Sequence, residues 1–460
     1  HKEYRRQRQM CIRDSNMNMP YLSRRSMLAL GAAAAGSVAL SGCGGGGASN
    51  SGTASFWNFY GENPSGSAES EWMTKLISDW NANNDFQVSL KYMPTQIYTD
   101  GSTLQTAFTS GEGPDVFLLS PGDFLRYANG GVLRDLSDKL DNSVRADFTP
   151  GFLESRSDGD KLYAVPMDAE PLAIFYSPAA FEAGGLSEGD IPTTWEEFVA
   201  VAEKLTTDRQ FGAMVDPAPS YYENFTWYPF LWQTGNDIFD ADGKPAFDNP
   251  GSVQAMQLWQ DLIYGGLAPK QAQGAGATEV NTNLGSGNVA MQQSGIWGIA
   301  QMAQNLPDFE YDVFPLPIPD GGTPTTIVGG WSFAVNAEGK DPDGAADFVT
   351  WALASQEKEQ IQRLVDWTAG AKSNFPTRKS VLEAAEQQGK YEEAHMKKFV
   401  DEIYPTGVSE PRFPPEVYKP ISDALQAVAL EGKDAQEQVS AAQASLEKYM
   451  ESYDGVKISY

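Results

Sequence analysis

The chain is poor in the residues that carry nucleophilic and metal chemistry: it has two cysteines, Cys11 and Cys43, and two histidines, His1 and His395. With His395 the sole histidine beyond the leader described below, Ser-His-Asp and Cys-His catalysis are excluded, as is a zinc site built from His and Cys. Basic residues are also scarce, with 33 Lys and Arg against 61 Asp and Glu and a formal charge of −28. Phosphate binding needs clustered cations that release counterions, so nucleic acid is excluded as a partner. Long apolar runs are missing too. The longest, residues 27–40, falls short of the roughly 20 residues that span a bilayer. What is present is 41% hydrophobic, enough for a sizeable core and two domains of ordinary size.

The first 42 residues differ in kind from the rest, with seven Lys or Arg against only Glu3 and Asp14. Residues 1–15 have no apolar periodicity and read as a non-native extension, with Met17 or Met19 as the native start. Ser23-Arg24-Arg25-Ser26, the apolar run and Leu40-Ser41-Gly42-Cys43 then follow in the order of a secretory signal, placing it at residues 17–42. The paired arginines resemble a twin-arginine export signal, although Met27 and Ala29 depart from that pattern, so the Sec route stays open. Leu40-Ser41-Gly42-Cys43 matches the lipobox of bacterial lipoproteins, in which Cys43 becomes the acylated first residue. Several acyl chains, each buried methylene contributing about 0.8 kcal/mol, anchor a protein without a span. Cleavage removes Cys11, so no intrachain disulfide remains. Residues 43–52 form the lipidated cysteine and a Gly- and Ser-rich linker.

Beyond the linker, strand and helix patterns alternate. Residues 53–60 read as a strand, and Trp72, Met73, Leu76, Ile77 and Trp80 recur at helical spacing. Phe86, Val88, Leu90 and Tyr92 alternate at period two, and Asp115 opens a short apolar strand. This alternation predicts an α/β fold with a mainly parallel sheet. Thr194 and Glu197 form a capping-box pattern ahead of Trp195, Phe198, Val199, Ala202 and Leu205. Val253, Met256, Trp259, Leu262 and Ile263 mark another helix, and Val439, Ala442, Leu446, Tyr449 and Tyr453 a last one. Phe348, Trp351 and Trp367 read as core by spacing.

A series of landmarks runs in order along nearly all of this region. It includes Phe56-Trp57, Gly113-Pro114-Asp115-Val116, Tyr127-Ala128-Asn129-Gly130-Gly131-Val132-Leu133 and Leu162-Tyr163-Ala164-Val165-Pro166. It continues with Pro192-Thr193-Thr194-Trp195-Glu196-Glu197-Phe198, Gly287-Asn288-Val289-Ala290-Met291, Gly295-Ile296-Trp297, Gly329-Gly330-Trp331-Ser332 and Phe375-Pro376-Thr377-Arg378. In joint order and spacing the series resembles the bacterial extracellular solute-binding proteins that include maltose-binding protein. The resemblance implies two α/β lobes with hinge crossovers and an interlobe cleft. It assigns residues 53–167 and 328–374 to the first lobe, and 171–327 and 376–460 to the second.

The resemblance further implies a lipid-anchored, monomeric protein on the outer face of the cytoplasmic membrane or in the periplasm, without cofactor or metal. Such a protein hands a sugar or short oligosaccharide to the transmembrane subunits of an ABC permease. Sugars present hydroxyls around an apolar face, so carboxylates, amides and flat rings are the residue types their sites require. Carried over, these are Asn58, Tyr60 and Glu62 after the first strand, Ser120 and Asp123, and Asp168 and Glu170 at the first hinge crossing. Glu223, Trp227 and Trp232 fall in the aromatic-dense stretch 221–232. Trp297, Gly330 and Trp331 supply rings and a close backbone approach, and Arg412 with Phe413 caps the cleft. Asp115 is expected to hold its own turn.

Two other readings follow from the same residues. Asp123, Asp168, Glu170 and Glu223 would also suit a polyamine, whereas glycerol phosphate would require a cleft cation, for which Arg412 is the candidate. Asp168 and Glu170 could also serve as the acid and base of a secreted glycoside hydrolase, which needs carboxyl groups about 5–5.5 Å or 6.5–9.5 Å apart.

Overall fold

The chain builds two separate sheets. The computed structural model describes residues 53–62 and 66–458, so the leader, Cys43 and the linker lie outside the described residues. In the first sheet the strands run in the order Val88–Tyr92, Ala54–Asn58, Val116–Leu119, Ser332–Val335, Ala164–Pro166. The first three are parallel, as short strand–helix–strand connections require. Ser332–Val335 arrives from far along the chain and pairs antiparallel with both neighbours.

Helices cover this sheet for reasons legible in the chain. Ser67 accepts from Ser70 N to start the helix Ala68–Asn83, whose Trp72, Met73, Leu76, Ile77 and Trp80 face the core. Phe348 and Trp367 join the same core, and Trp351 packs at its edge.

The second sheet departs from the parallel expectation. Glu170–Tyr176 pairs antiparallel with Thr326–Gly329, Met291–Gly295 and Asp312–Phe314, and only Gly407–Ser409 adds a parallel neighbour, beside Thr326–Gly329. Its strands come from distant parts of the chain, so no crossover helix fixes their direction. Glu170–Tyr176 is buried along its whole length. Leu172, Ile174 and Tyr176 point into one core while Ala173 and Phe175 point into another on the opposite face, the period of two that a strand imposes. The helix Trp195–Leu205 begins with the anticipated capping box of Thr194 and Glu197.

Three stretches meet between the sheets. Ala169 and Phe375 exchange backbone hydrogen bonds of 2.8 and 3.1 Å, Gly329 pairs with Glu170, and Met167 N donates to Trp331 O at 2.9 Å. The lobe boundaries differ from those expected. Val328 belongs to the second sheet, and the helix Lys379–Gln387 places Val381 and Ala385 in the first core. The chain therefore stays with the first lobe beyond residue 376, because the apolar face of that helix matches the helix Lys358–Val365 beside it. Among the described residues no helix is long and apolar enough to cross a membrane.

Candidate ligand cleft

Between the lobes lies a cleft of about 660 Å³. From the first lobe, Phe59, Tyr60 and Ser120 line it just beyond the ends of two neighbouring strands. The Phe59 ring stands edge-on to Trp331, with centroids 4.8 Å apart. From the second lobe come Tyr221, Tyr222 and Phe225, set by one helix start. Ser220 accepts from Glu223 N to begin the helix Tyr221–Gln233, and positions 221, 222 and 225 then share a face. Trp297 completes this wall. It is 9% exposed, and its Nε1 donates to Thr278 O at 3.0 Å.

Glu170 and Lys372 form the charged floor, with Nζ to Oε1 at 3.0 Å and both side chains buried. The ammonium lies 4.8 Å from the Tyr60 ring centroid and 5.8 Å from that of Trp297, so one cation faces a ring from each lobe. Burial works against its charge, yet the carboxylates of Glu170 and Asp168 leave its pKa above the usual range. Glu410 lines another part of the cleft, and burial pushes its carboxyl up to about 8.

The backbone at Gly330 is as specialised as the side chains. Its φ is +133°, and a Cβ there would stand 2.0 Å from Asp168 O. Only glycine fits, and the close approach carries Trp331 into the cleft.

Of the residues expected to line the cleft, the structure brings together Tyr60, Ser120, Glu170, Trp297, Gly330 and Trp331. The others stand elsewhere, each for a visible reason. Asn58 folds its amide back, accepting from Tyr60 N at 2.9 Å and Gly61 N at 2.8 Å, and so shapes the turn. Glu62 is exposed outside the cleft. Asp123 pairs with Arg126 at 2.7 Å. Asp168 is buried behind the hinge, accepting from Trp331 N, Trp367 Nε1 and Asn374 Nδ2. Burial and the charge of Glu170 raise its pKa.

Glu223 turns to the opposite face of its helix and accepts from Ser422 and Gln426. Trp227 is fully buried against Phe247. Trp232 lies near the face of Tyr221 but about 16 Å farther along the axis, where its Nε1 donates to Asp237 at 3.0 Å. Arg412 lies over the Phe124 ring and donates to Ser157 O and Lys457 O, away from the cleft. Phe413 packs in the second core beside Tyr228 and Phe239. Asp115 is structural, but not by holding its own turn: its carboxylate accepts from Ser55 N and Lys340 N, both at 2.7 Å, and so ties three distant stretches of the first lobe together.

The residues missed are Tyr221, Tyr222, Phe225, Lys372 and Glu410. The Ser220-to-Glu223 cap could have fixed the phase of the aromatic helix; nothing local marks Lys372 or Glu410. Among the described residues no group of His, Cys, Asp and Glu is arranged to hold a metal.

The model of the bacterial extracellular solute-binding protein family matches residues 63–359. The chain belongs to that family. A probable ABC transporter-binding protein of Deinococcus radiodurans is 30% identical over 244 residues, which are 50% of this chain and 56% of the relative. The match thus spans just over half the length of that curated protein. A solute-binding protein from Thermotoga lettingae, solved with α-D-tagatose, superposes with a TM-score of 0.73 at 22% identity, covering 86% of this chain and 99% of the other. The maltotriose-binding protein of Thermus thermophilus gives 0.69 at 20% identity, with coverage of 86% and 100%. These likenesses establish a fold shared with two-lobed solute-binding proteins.

Proposed function

We propose that this solute-binding protein captures a sugar or short oligosaccharide between its lobes and delivers it to an ABC permease. The observation that carries this reading is the set of rings from both lobes around a polar floor: Phe59, Tyr60 and Trp331 with Tyr222, Phe225 and Trp297, above Glu170 and Lys372. Rings cover the C–H faces of a sugar, and charged groups bond its hydroxyls at roughly 1.5–3 kcal/mol each. The tagatose- and maltotriose-bound neighbours support the same ligand class.

Closure about the hinge would bring the second wall onto a ligand held by the first, and contacts made only in the closed form would drive it. Gln304, which lines the cleft, already donates from Nε2 to Ala371 O at 3.3 Å. A phosphate ligand is disfavoured because Lys372, the one cation among the described residues lining the cleft, is committed to Glu170. A polyamine loses three of its four anticipated carboxylates, Asp123, Asp168 and Glu223, to positions outside the cleft, but would meet Glu69, Glu71 and Glu279 in its lining, so the screen must decide between it and a sugar.

The protein is not an enzyme in this reading. Asp168 is saturated by three donors and Glu170 by Lys372, so the two are not presented together to a glycosidic bond. Acylation at Cys43 would tether a monomer outside the cytoplasm. A thermal-shift screen over neutral sugars, polyamines and glycerol phosphate tests the ligand class, with calorimetry on the hits and chromatography for cleavage. Ligand at a hundredfold excess over Kd adds about 2.7 kcal/mol of stability. Stabilisation by neutral sugars without cleavage is expected; a response confined to polyamines or phosphate esters rejects the proposal.

A further inference from the structure

Of the cleft carboxyls that the reading above leaves without a role, Glu69, Glu71, Glu279 and Glu410, only Glu410 is buried. It is 5% exposed and sits on the second lobe just after the strand Gly407–Ser409, yet its Oε1 accepts from Gly122 N of the first lobe at 3.0 Å. Two glycines make room for it. A Cβ on Gly122 would stand 2.2 Å from Oε1 and 3.2 Å from the Tyr221 ring, and one on Gly329 would stand 3.1 Å from Oε2 and 2.7 Å from the Phe225 ring. The carboxyl is therefore lodged between two backbone turns and two rings, with one N–H donor among the described residues. Among the described residues no cation lies within ion-pair distance of it. The surrounding titratable groups are the Arg156 guanidinium, which donates to Gly330 O and Ser332 Oγ instead, the carboxyls of Asp123 and Glu170, and the phenols of Tyr221 and Tyr228.

A carboxylate needs several donors or a cation to stay charged in such a place, and Glu410 has one donor. Glu170, on the same cleft, has an ammonium at 3.0 Å. Two carboxyl groups in one site are thus driven to opposite roles by their surroundings.

We propose that Glu410 is a specificity-determining residue that presents a protonated carboxyl to the cleft and donates its O–H to an acceptor oxygen of the ligand. The proposal takes its ligand class from the carbohydrate reading, but the protonated state stands independently of it. A ligand matched to this site offers a hydroxyl hydrogen to Glu170 and an oxygen lone pair to Glu410, a pairing that sugar hydroxyls supply and ammonium groups do not. Burial raises the carboxyl to about 8, so deprotonation at higher pH withdraws the donor and places a repelling lone pair against the same oxygen.

Two measurements on the purified protein test this. The first needs no ligand: infrared spectra of wild type and Glu410→Gln at pH 7 are subtracted, and the protonated-carboxyl stretch is expected in wild type and absent from the variant. Its absence from the difference overturns the proposal whether or not any sugar binds. The second follows the affinity for maltotriose, or for tagatose if that stabilises the protein more, between pH 7 and pH 9. Wild type is expected to weaken about tenfold, the loss of protonated form one unit above a pKa of about 8. Glu410→Gln, which keeps an acceptor for Gly122 and a permanent donor, is expected to lose that dependence, and Glu410→Ala to weaken at every pH. A flat wild-type profile, or an equal slope in Glu410→Gln, overturns the proposal. Should Glu410→Gln fail to fold, Glu410→Ala takes its place in the pH 7 subtraction, because a wild-type difference between pH 7 and pH 9 would also contain the protons of Asp168 and Asp216, both raised to about 7. Failure of both sugars to bind counts against the carbohydrate reading and leaves the infrared result to decide Glu410.

Discussion

Asp168 Oδ1 accepts the backbone N–H of Trp331 at 2.9 Å, while the carbonyl on the other side of that peptide, Gly330 O, accepts from Arg156 at 2.9 Å. One peptide plane is thus gripped by a carboxyl and a guanidinium, both buried behind the hinge. The grip aims the indole of Trp331 at the cleft, so Asp168, outside the cleft, positions a ring that lines it.

Replacing either cleft indole should weaken ligand binding; Trp331 packs at the edge of both cores, so its loss should leave the fold nearly intact, whereas Trp297 is a buried member of the second core and its loss should also cost stability. Trp297→Ala and Trp331→Ala are each expected to lose about 1–3 kcal/mol of binding, or roughly 5- to 150-fold in Kd. Calorimetry on the best sugar reads this. Unchanged affinity in both variants would remove these rings from the site.

Lys372→Met strips the buried Glu170 of its counter-ion and is expected to destabilise the protein by about 3–5 kcal/mol. The double variant Lys372→Met with Glu170→Gln should recover much of that stability, because no lone charge then remains buried. Urea unfolding of the four-member cycle measures the coupling. Strict additivity of the two single changes would contradict the pairing seen at 3.0 Å.

Gly330→Ala combines a left-handed backbone angle with a Cβ 2.0 Å from Asp168 O. A loss of more than about 2 kcal/mol, or failure to accumulate as folded protein, is expected. Gly370→Ala is the control, since a Cβ there meets nothing within 4 Å. Equal stability of the two variants would show that the hinge backbone tolerates a shift.

Asp216 supplies a pH prediction outside the cleft. It is buried with one donor, Ala218 N, and burial raises it to about 7 from a usual value of 3.8. The folded state therefore holds a proton between about pH 4 and pH 7 that the unfolded chain has released, so stability falls as pH rises through that window. Asp216→Asn removes the penalty and should be the more stable protein at pH 8, by about 2–4 kcal/mol, with little difference near pH 4. A variant less stable than wild type at pH 8 would mean that the carboxylate is held charged.

How far the sequence could be read depended on whether a residue's role was local. The helix of Trp72 to Trp80 and the capping box of Thr194 and Glu197 follow from spacing within a few residues, and both are present, whereas Asp115, expected to hold its own turn, bonds Ser55 and Lys340 far along the chain. The second sheet was misjudged because its strand directions depend on returns from over a hundred residues away. The cleft was legible where a glycine or hinge turn marks it, as at Gly330, Trp331 and Glu170. It was not legible within the aromatic stretch 221–232, where Glu223 and Trp227 differ from Tyr221, Tyr222 and Phe225 only in helical phase. Lys372 and Glu410 acquire meaning only from groups hundreds of residues distant, Glu170 and Gly122.

The segment Met167–Glu170 is bonded on one side to Gly329–Trp331 and on the other to Phe375. Three backbones joined edge to edge behave as a flexure: such a ribbon bends readily across its width and resists shear and torsion. Bending would then be the softest motion of the second lobe against the first. A molecule whose faces demand a sideways offset would have to shear that joint as well as fit the walls.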